Sequence, residues 1–128
     1  MINKRIVLTG SLLIVTAIIL GAFGAHALKD MLSAEKLQSF EVGARYQFYI
    51  GIVLLIFGLT SDRFPFSIRT FFLFQIIGIL LFSGSIYLLS FEEVLQINLK
   101  FLGPITPIGG ALMITGWILF IFRLMKIK

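Results

Sequence analysis

Apolar residues run along this chain in four long blocks, and charge gathers between them. The blocks predict spans over residues 6–26, 45–61, 70–91 and 102–122. A helix needs roughly 20 apolar residues to cross a hydrocarbon core about 30 Å thick. Three blocks meet that length directly. The second is shorter and opens on Arg45, whose guanidinium can reach the interface along its own aliphatic stem. Its helix is therefore expected to begin earlier. Lipid offers backbone groups no partners, so a spanning segment must be a helix or a barrel strand. Runs without polar alternation are not barrel strands. The pattern predicts an all-α integral membrane four-helix bundle, a single membrane domain over residues 1–128.

The polar intervals add detail. Ser33 suits a helix N-cap, with Glu35 in the first turn against the positive end of the dipole. Leu37, Phe40, Ala44 and Phe48 recur at helical spacing, and Glu41 and Arg45 form a favourable i,i+4 pair. An amphipathic outer-face helix between the first two spans follows, running into the second. The connections at 61–69 and 92–100 are read as short turns. Thr106 and Pro107 suit an N-cap and first helical residue, which would start the fourth helix near residue 107. The apolar residues from Gly103 onward would then be non-helical backbone near the interface. Such backbone is tolerated only where protein shields it or where it lines a wet cavity. A shielded turn is the reading preferred here, and an anion site at that helix start is the alternative.

Composition narrows the class. The 128 residues are 59% hydrophobic and 13% charged, with a mean hydropathy of +1.05. Soluble domains are about a quarter charged, and disorder requires low hydrophobicity. Both are excluded. There is no Cys, so disulfides and thiolate metal sites are excluded as well. The net charge of +5 sorts by side. With the N-terminus inside, Lys4, Arg5, Arg63, Arg69, Arg123, Lys126 and Lys128 lie inside. Lys29, Lys36, Arg45 and Lys100 lie outside. Seven against four places both termini in the cytoplasm. The excess is explained by topology and anionic headgroups, and no nucleic-acid partner is expected. Lys4-Arg5, an apolar run and Ala25-His26-Ala27 also fit a secretory signal. The run exceeds the usual length of such a core, so it is read as a retained span.

Ionisable residues inside a membrane are the first functional candidates, and the span interiors carry none. Two polar groupings remain. A possible outer-face cluster comprises His26, Arg45, Tyr46 and Gln47. Possible intramembrane polar positions are Gln75, Ser83, Ser85 and Thr106, for which helix–helix hydrogen bonding is the expected role. Trp117 is expected to pack against a small-residue surface. Small residues point to helix packing at Ala17, Gly21, Gly24 and Ala25 on the first span. On the last they are Gly103, Pro107, Gly109, Gly110 and Ala111, with Thr115 continuing the stripe. A lone His without Cys argues against a metal site, no nucleophile–base pair is evident, and no cofactor or enzyme activity is expected.

Several stretches together carry a resemblance. They are Gly21-Ala22-Phe23-Gly24-Ala25-His26-Ala27-Leu28, Tyr46-Gln47-Phe48-Tyr49 and Phe82-Ser83-Gly84-Ser85-Ile86-Tyr87. Thr106-Pro107-Ile108-Gly109-Gly110 and Gly116-Trp117 complete the set. The chain resembles, over nearly its whole length, the YgdD/YwdK-like family of small multi-pass membrane proteins of unknown function. The resemblance implies a four-helix protein of the bacterial cytoplasmic membrane and brings no activity, cofactor or substrate. Where the family tends to carry a His after the Tyr-Gln-x-Tyr stretch, this chain has Ile50, so a paired-histidine site with His26 is not expected. The functional expectation is a non-catalytic membrane component, acting by helix packing with itself, with partners or with lipid. The alternative is a small channel or carrier for a neutral or lipid-like solute.

Overall fold

The computed structural model describes residues 1–127; Lys128, counted above among the inner basic residues, lies outside them. Four long helices form the bundle: α1 (Lys4–Ala25), α2 (Ala34–Leu59), α3 (Arg69–Ser90) and α5 (Ile105–Met125), with a single short turn, α4 (Glu92–Leu95), after α3. All four are long and apolar enough to cross a membrane. The protein is an integral membrane four-helix bundle. Both termini lie at one end of it, here the termini end, together with the α2–α3 connection.

Each helix start has a local cause. The Asn3 side chain accepts from Ile6 N–H and begins α1, and Ser33 accepts from Lys36 N–H and begins α2. From Ser33, α2 runs unbroken through Arg45 to Leu59. Its 26 residues make it about 39 Å long, more than the hydrocarbon needs. Its first turns, with Glu35 and Lys36, are therefore the part in excess of the apolar slab. The amphipathic helix expected ahead of the second span and that span itself are one rod. The fourth helix starts at Ile105 with Pro104 at the cap, earlier than the expected Thr106–Pro107 start. A 3₁₀ turn, Lys100–Leu102, carries the chain to Gly103, and only Gly103 and Pro104 separate it from the helix. Pro107 falls in the first helical turn, where a missing N–H costs nothing. Thr106 is thereby free to use its hydroxyl elsewhere.

Two hairpins result, α1 with α2 and α3 with α5, and they join through α2 and α3. Both seams bring backbone against backbone. Gly10, Ala17 and Gly24 are buried on α1, and Ala44, Gly51 and Gly58 on α2, each set repeating every seventh residue. That is the repeat of a helix seam facing one partner continuously. A Cβ at Gly10 would stand 2.6 Å from Leu55 N and 2.7 Å from Gly51 O. In the second hairpin a Cβ at Gly78 would stand 2.8 Å from Gly109 O. Lipid gives helices no hydrophobic reason to associate, so such close approach supplies the attraction through dispersion.

Between the hairpins at the termini end lies an aromatic cluster. Phe57 stacks on Phe71 at 4.7 Å and on Phe64 at 5.2 Å, while Trp117 meets Phe71 edge-on at 4.8 Å and Phe120 closes the group. Trp117 therefore packs among aromatic rings and not against the small-residue surface expected from the sequence. At this end Asn3 N–H also donates to Gly58 O at 2.9 Å, and the Arg123 guanidinium donates to Ser67 O. The outer flanks of α1 and α5 are lined by exposed Leu12, Ile18, Phe23, Ile114, Ile118 and Phe122, the surface that lipid covers.

Candidate functional site

Away from the aromatic cluster, polar side chains tie three helices together. Gln47 is buried on α2. Its amide donates both hydrogens, to Leu13 O at 3.1 Å and to Thr16 Oγ1 at 2.7 Å, both on α1. Its carbonyl accepts from Tyr87 Oη on α3 at 2.7 Å. The Thr16 hydroxyl spends its own hydrogen on Leu12 O, which leaves it an acceptor for Gln47. Nothing on Gln47 is left unpaired.

One turn away, Ser83 Oγ donates to Gly43 O at 2.7 Å. Gly43 is required there: a Cβ would stand 2.9 Å from the Tyr87 ring. Phe40 covers that ring, with centroids 5.0 Å apart. Ser85, also buried, donates to Phe82 O at 3.0 Å and meets Thr106 Oγ1 at 2.6 Å. With its one hydrogen committed, Ser85 accepts from Thr106. This bond links α3 to α5.

Gln75 is fully buried between α3 and α5. Its amide donates to Met113 O at 3.0 Å, and its Oε1 has no hydrogen-bond partner within the protein. The device repeats that of Gln47: each hairpin has a glutamine amide clamping a backbone carbonyl of the neighbouring helix.

The residues grouped from the sequence are placed as follows. His26 is the exposed C-cap of α1. Arg45 and Tyr46 are exposed on α2, and Tyr46 packs against Tyr49 and Phe82. Gln47 turns the other way, into the bundle, because it lies two positions beyond Arg45 on a helix face. Of the small residues, Ala17, Gly24 and Gly109 lie in the seams, and Gly110 lies beside the Phe82 ring. A Cβ at Gly21 would meet nothing within 4 Å. Ala25, Gly103, Pro107 and Ala111 are exposed on the bundle's outer side.

Other functional contacts escaped the sequence reading. Gly10, Gly51, Gly58 and Gly78 form seams, and only their seven-residue spacing from one another or from another small residue could have revealed them. Tyr87 reaches inward to Gln47, a role its sequence position gave no sign of. Beyond the membrane, Lys36 Nζ donates to Glu92 Oε1 at 2.8 Å and to Leu89 O at 3.2 Å. The ammonium so placed sits at the carbonyl end of α3, where a cation is favoured. Its hydrogen bond holds the Glu92 carboxyl below the usual carboxylate range, and Leu99 N–H adds to this. At the termini end, the hydrogen bond from the N-terminal ammonium lowers Asp62 similarly. These are the ion pairs among the described residues; Glu41 and Arg45 do not form one.

Three similar proteins carry no activity in their names. Residues 20–110 match the family described as "Protein of unknown function (DUF423)". A UPF0382 membrane protein of Staphylococcus epidermidis is 37% identical, over 96% of this chain and 97% of its own. A second, from Staphylococcus aureus, is 38% identical over the same shares. The UPF0382 membrane protein YwdK of Bacillus subtilis is 35% identical over 96% of this chain and 98% of its own. No solved structure matches. Taken with the four spans, these likenesses establish that the chain belongs to the DUF423, or UPF0382, family of bacterial membrane proteins of unknown function.

Proposed function

We propose that this chain is a non-catalytic component of the bacterial cytoplasmic membrane, with both termini in the cytoplasm. It acts by packing an outer helix face against a second copy or a partner membrane protein. The supporting observation is the division of labour among its small and polar residues. Gln47, Ser83, Ser85 and Thr106 are spent on bonds between the protein's own helices. Gly103, Pro107, Ala111 and Thr115, in contrast, form a stripe facing away from the bundle. A small-residue stripe lets a foreign helix approach to backbone distance.

The chain lacks Cys, so a single Ala111→Cys reports cleanly in native membrane. Oxidation is expected to yield a crosslinked species that Pro107→Leu, placed on the same stripe, suppresses. A strict monomer with no crosslinked neighbour refutes the assembly. Cysteines at Asp30 and Lys126 test the threading: an impermeant reagent outside the cell should label the first and not the second.

The carrier reading has one observation in its favour, the unpartnered Gln75 Oε1. Solute flux in liposomes abolished by Gln75→Leu would support it, and flux unchanged by that substitution removes Gln75 from any transport path.

A further inference from the structure

At the termini end, the first residues of α1 and α3 face each other across a cleft of about 380 Å³. Its walls divide by chemistry. Arg5, Arg69, Asn3 and Ser67 line it with hydrogen-bond donors, and Ile6, Phe72 and Leu73 line it with hydrocarbon. Neither Arg5 nor Arg69 is in an ion pair among the described residues, although Asp62 lies at the same end and is taken by the N-terminal ammonium. Two unneutralised guanidinium groups on one cleft create a demand for negative charge, and their planar donor forks match phosphate oxygens in pairs. The start of α3 brings the positive end of a helix dipole beside them, although its first N–H, that of Arg69, is already taken by Ser67 Oγ at 3.3 Å.

The apolar wall decides what kind of phosphate. A free inorganic anion gains nothing from Ile6, Phe72 and Leu73. An amphiphile does: Leu73 is 43% exposed on the lipid-facing side of α3, so the wall is continuous with the hydrocarbon beside it. We infer that this cleft is a binding site for one anionic glycerophospholipid, its phosphate held between Arg5 and Arg69 and an acyl chain laid along Phe72 and Leu73. The site is independent of the assembly proposed above, since the α5 stripe and the α1–α3 cleft share no residue.

Native mass spectrometry of the full chain in detergent tests the site with three probes: phosphatidylglycerol, phosphatidylcholine and inorganic phosphate. One phosphatidylglycerol should be retained per chain, in preference to phosphatidylcholine, and inorganic phosphate should not displace it. The double variant Arg5→Gln/Arg69→Gln should weaken retention about thirtyfold, the effect of two basic residues at an anionic surface. Arg63→Gln/Lys126→Gln, which removes equal charge from the same end outside the cleft, should leave retention unchanged. Leu73→Trp, which keeps both arginines and crowds the apolar wall, should weaken it. Equal retention of phosphatidylcholine, displacement by inorganic phosphate, equal loss in the two charge variants, or unchanged retention in Leu73→Trp would each overturn the proposal.

Discussion

Replacing Gly109 by Ala probes the hairpin seams most directly. An added Cβ there would lie 2.5 Å from Phe82 N, 2.6 Å from Gly78 O and 3.0 Å from Phe82 Cα. All three are backbone atoms of α3, and none can swing aside. Ordinary contact begins near 3.4 Å, so α5 must retreat from α3 by about 0.9 Å at this point. A gap of about 0.5–1 Å forfeits a quarter to a half of each dispersion contact it opens, and overpacking of this kind costs about 1–3 kcal/mol. Ala recovers about 0.8–1 kcal/mol through its better helix propensity, for a net loss of up to about 2 kcal/mol. At Gly21 the same methyl meets nothing within 4 Å, so Gly21→Ala should be neutral or stabilise by up to about 1 kcal/mol. Reversible unfolding in mixed micelles with increasing denaturing detergent would measure both. If Gly109→Ala is as stable as Gly21→Ala, the helices are not in backbone contact and the seam argument fails.

Gln47→Met keeps the volume but removes three hydrogen bonds. At about 0.6 kcal/mol each in a membrane it should cost about 2 kcal/mol, and a double-mutant cycle with Tyr87→Phe should give a coupling of about 0.6–1.7 kcal/mol. A coupling of zero would mean that the bond between them is not formed. Phe57→Ala empties the centre of the aromatic cluster; it should cost about 3–5 kcal/mol and alter the emission of Trp117, the sole tryptophan. The Lys36–Glu92 pair predicts a pH effect. Glu92 is lowered from its ordinary 4.5, so its contribution is complete above that value and disappears as pH falls through the lowered one. Melting curves of wild type and Glu92→Gln should therefore differ near neutrality and converge in acid; a separation that never narrows as pH falls below 4.5 would contradict the pairing.

The long helices were legible because crossing lipid leaves so few options for an uncharged run of twenty residues. Ser33 announced the true start of α2 even though Arg45 seemed to interrupt it. Which face of each helix turns inward was less legible. A stripe at four-residue spacing, such as Ala17, Gly21 and Ala25, drifts around a helix of 3.6 residues per turn, whereas Gly10, Ala17 and Gly24 stay nearly aligned. On α5 the packed face is Gly109, Met113, Gly116 and Phe120, where larger side chains hid the glycines. Gln47 and Arg45 looked like one cluster in sequence and point to opposite surroundings in space. The partner of each polar group was invisible because Thr16, Gln47 and Tyr87 lie on three separate helices. No one-dimensional period links them.

The junction between the two hairpins is secured by different forces at its two ends, and this bears on how the bundle meets bilayers of unequal thickness. At one end the bonds from Ser83 to Gly43 O and from Tyr87 to Gln47 hold the register of α3 against α2. At the other end stand stacked rings such as Phe57 on Phe71, which constrain sliding less than a hydrogen bond does because offset-stacked and edge-on pairs are both favourable over a range of centroid distances. A thinner membrane would therefore be accommodated by tilting at the aromatic end, with the bonded end serving as the pivot.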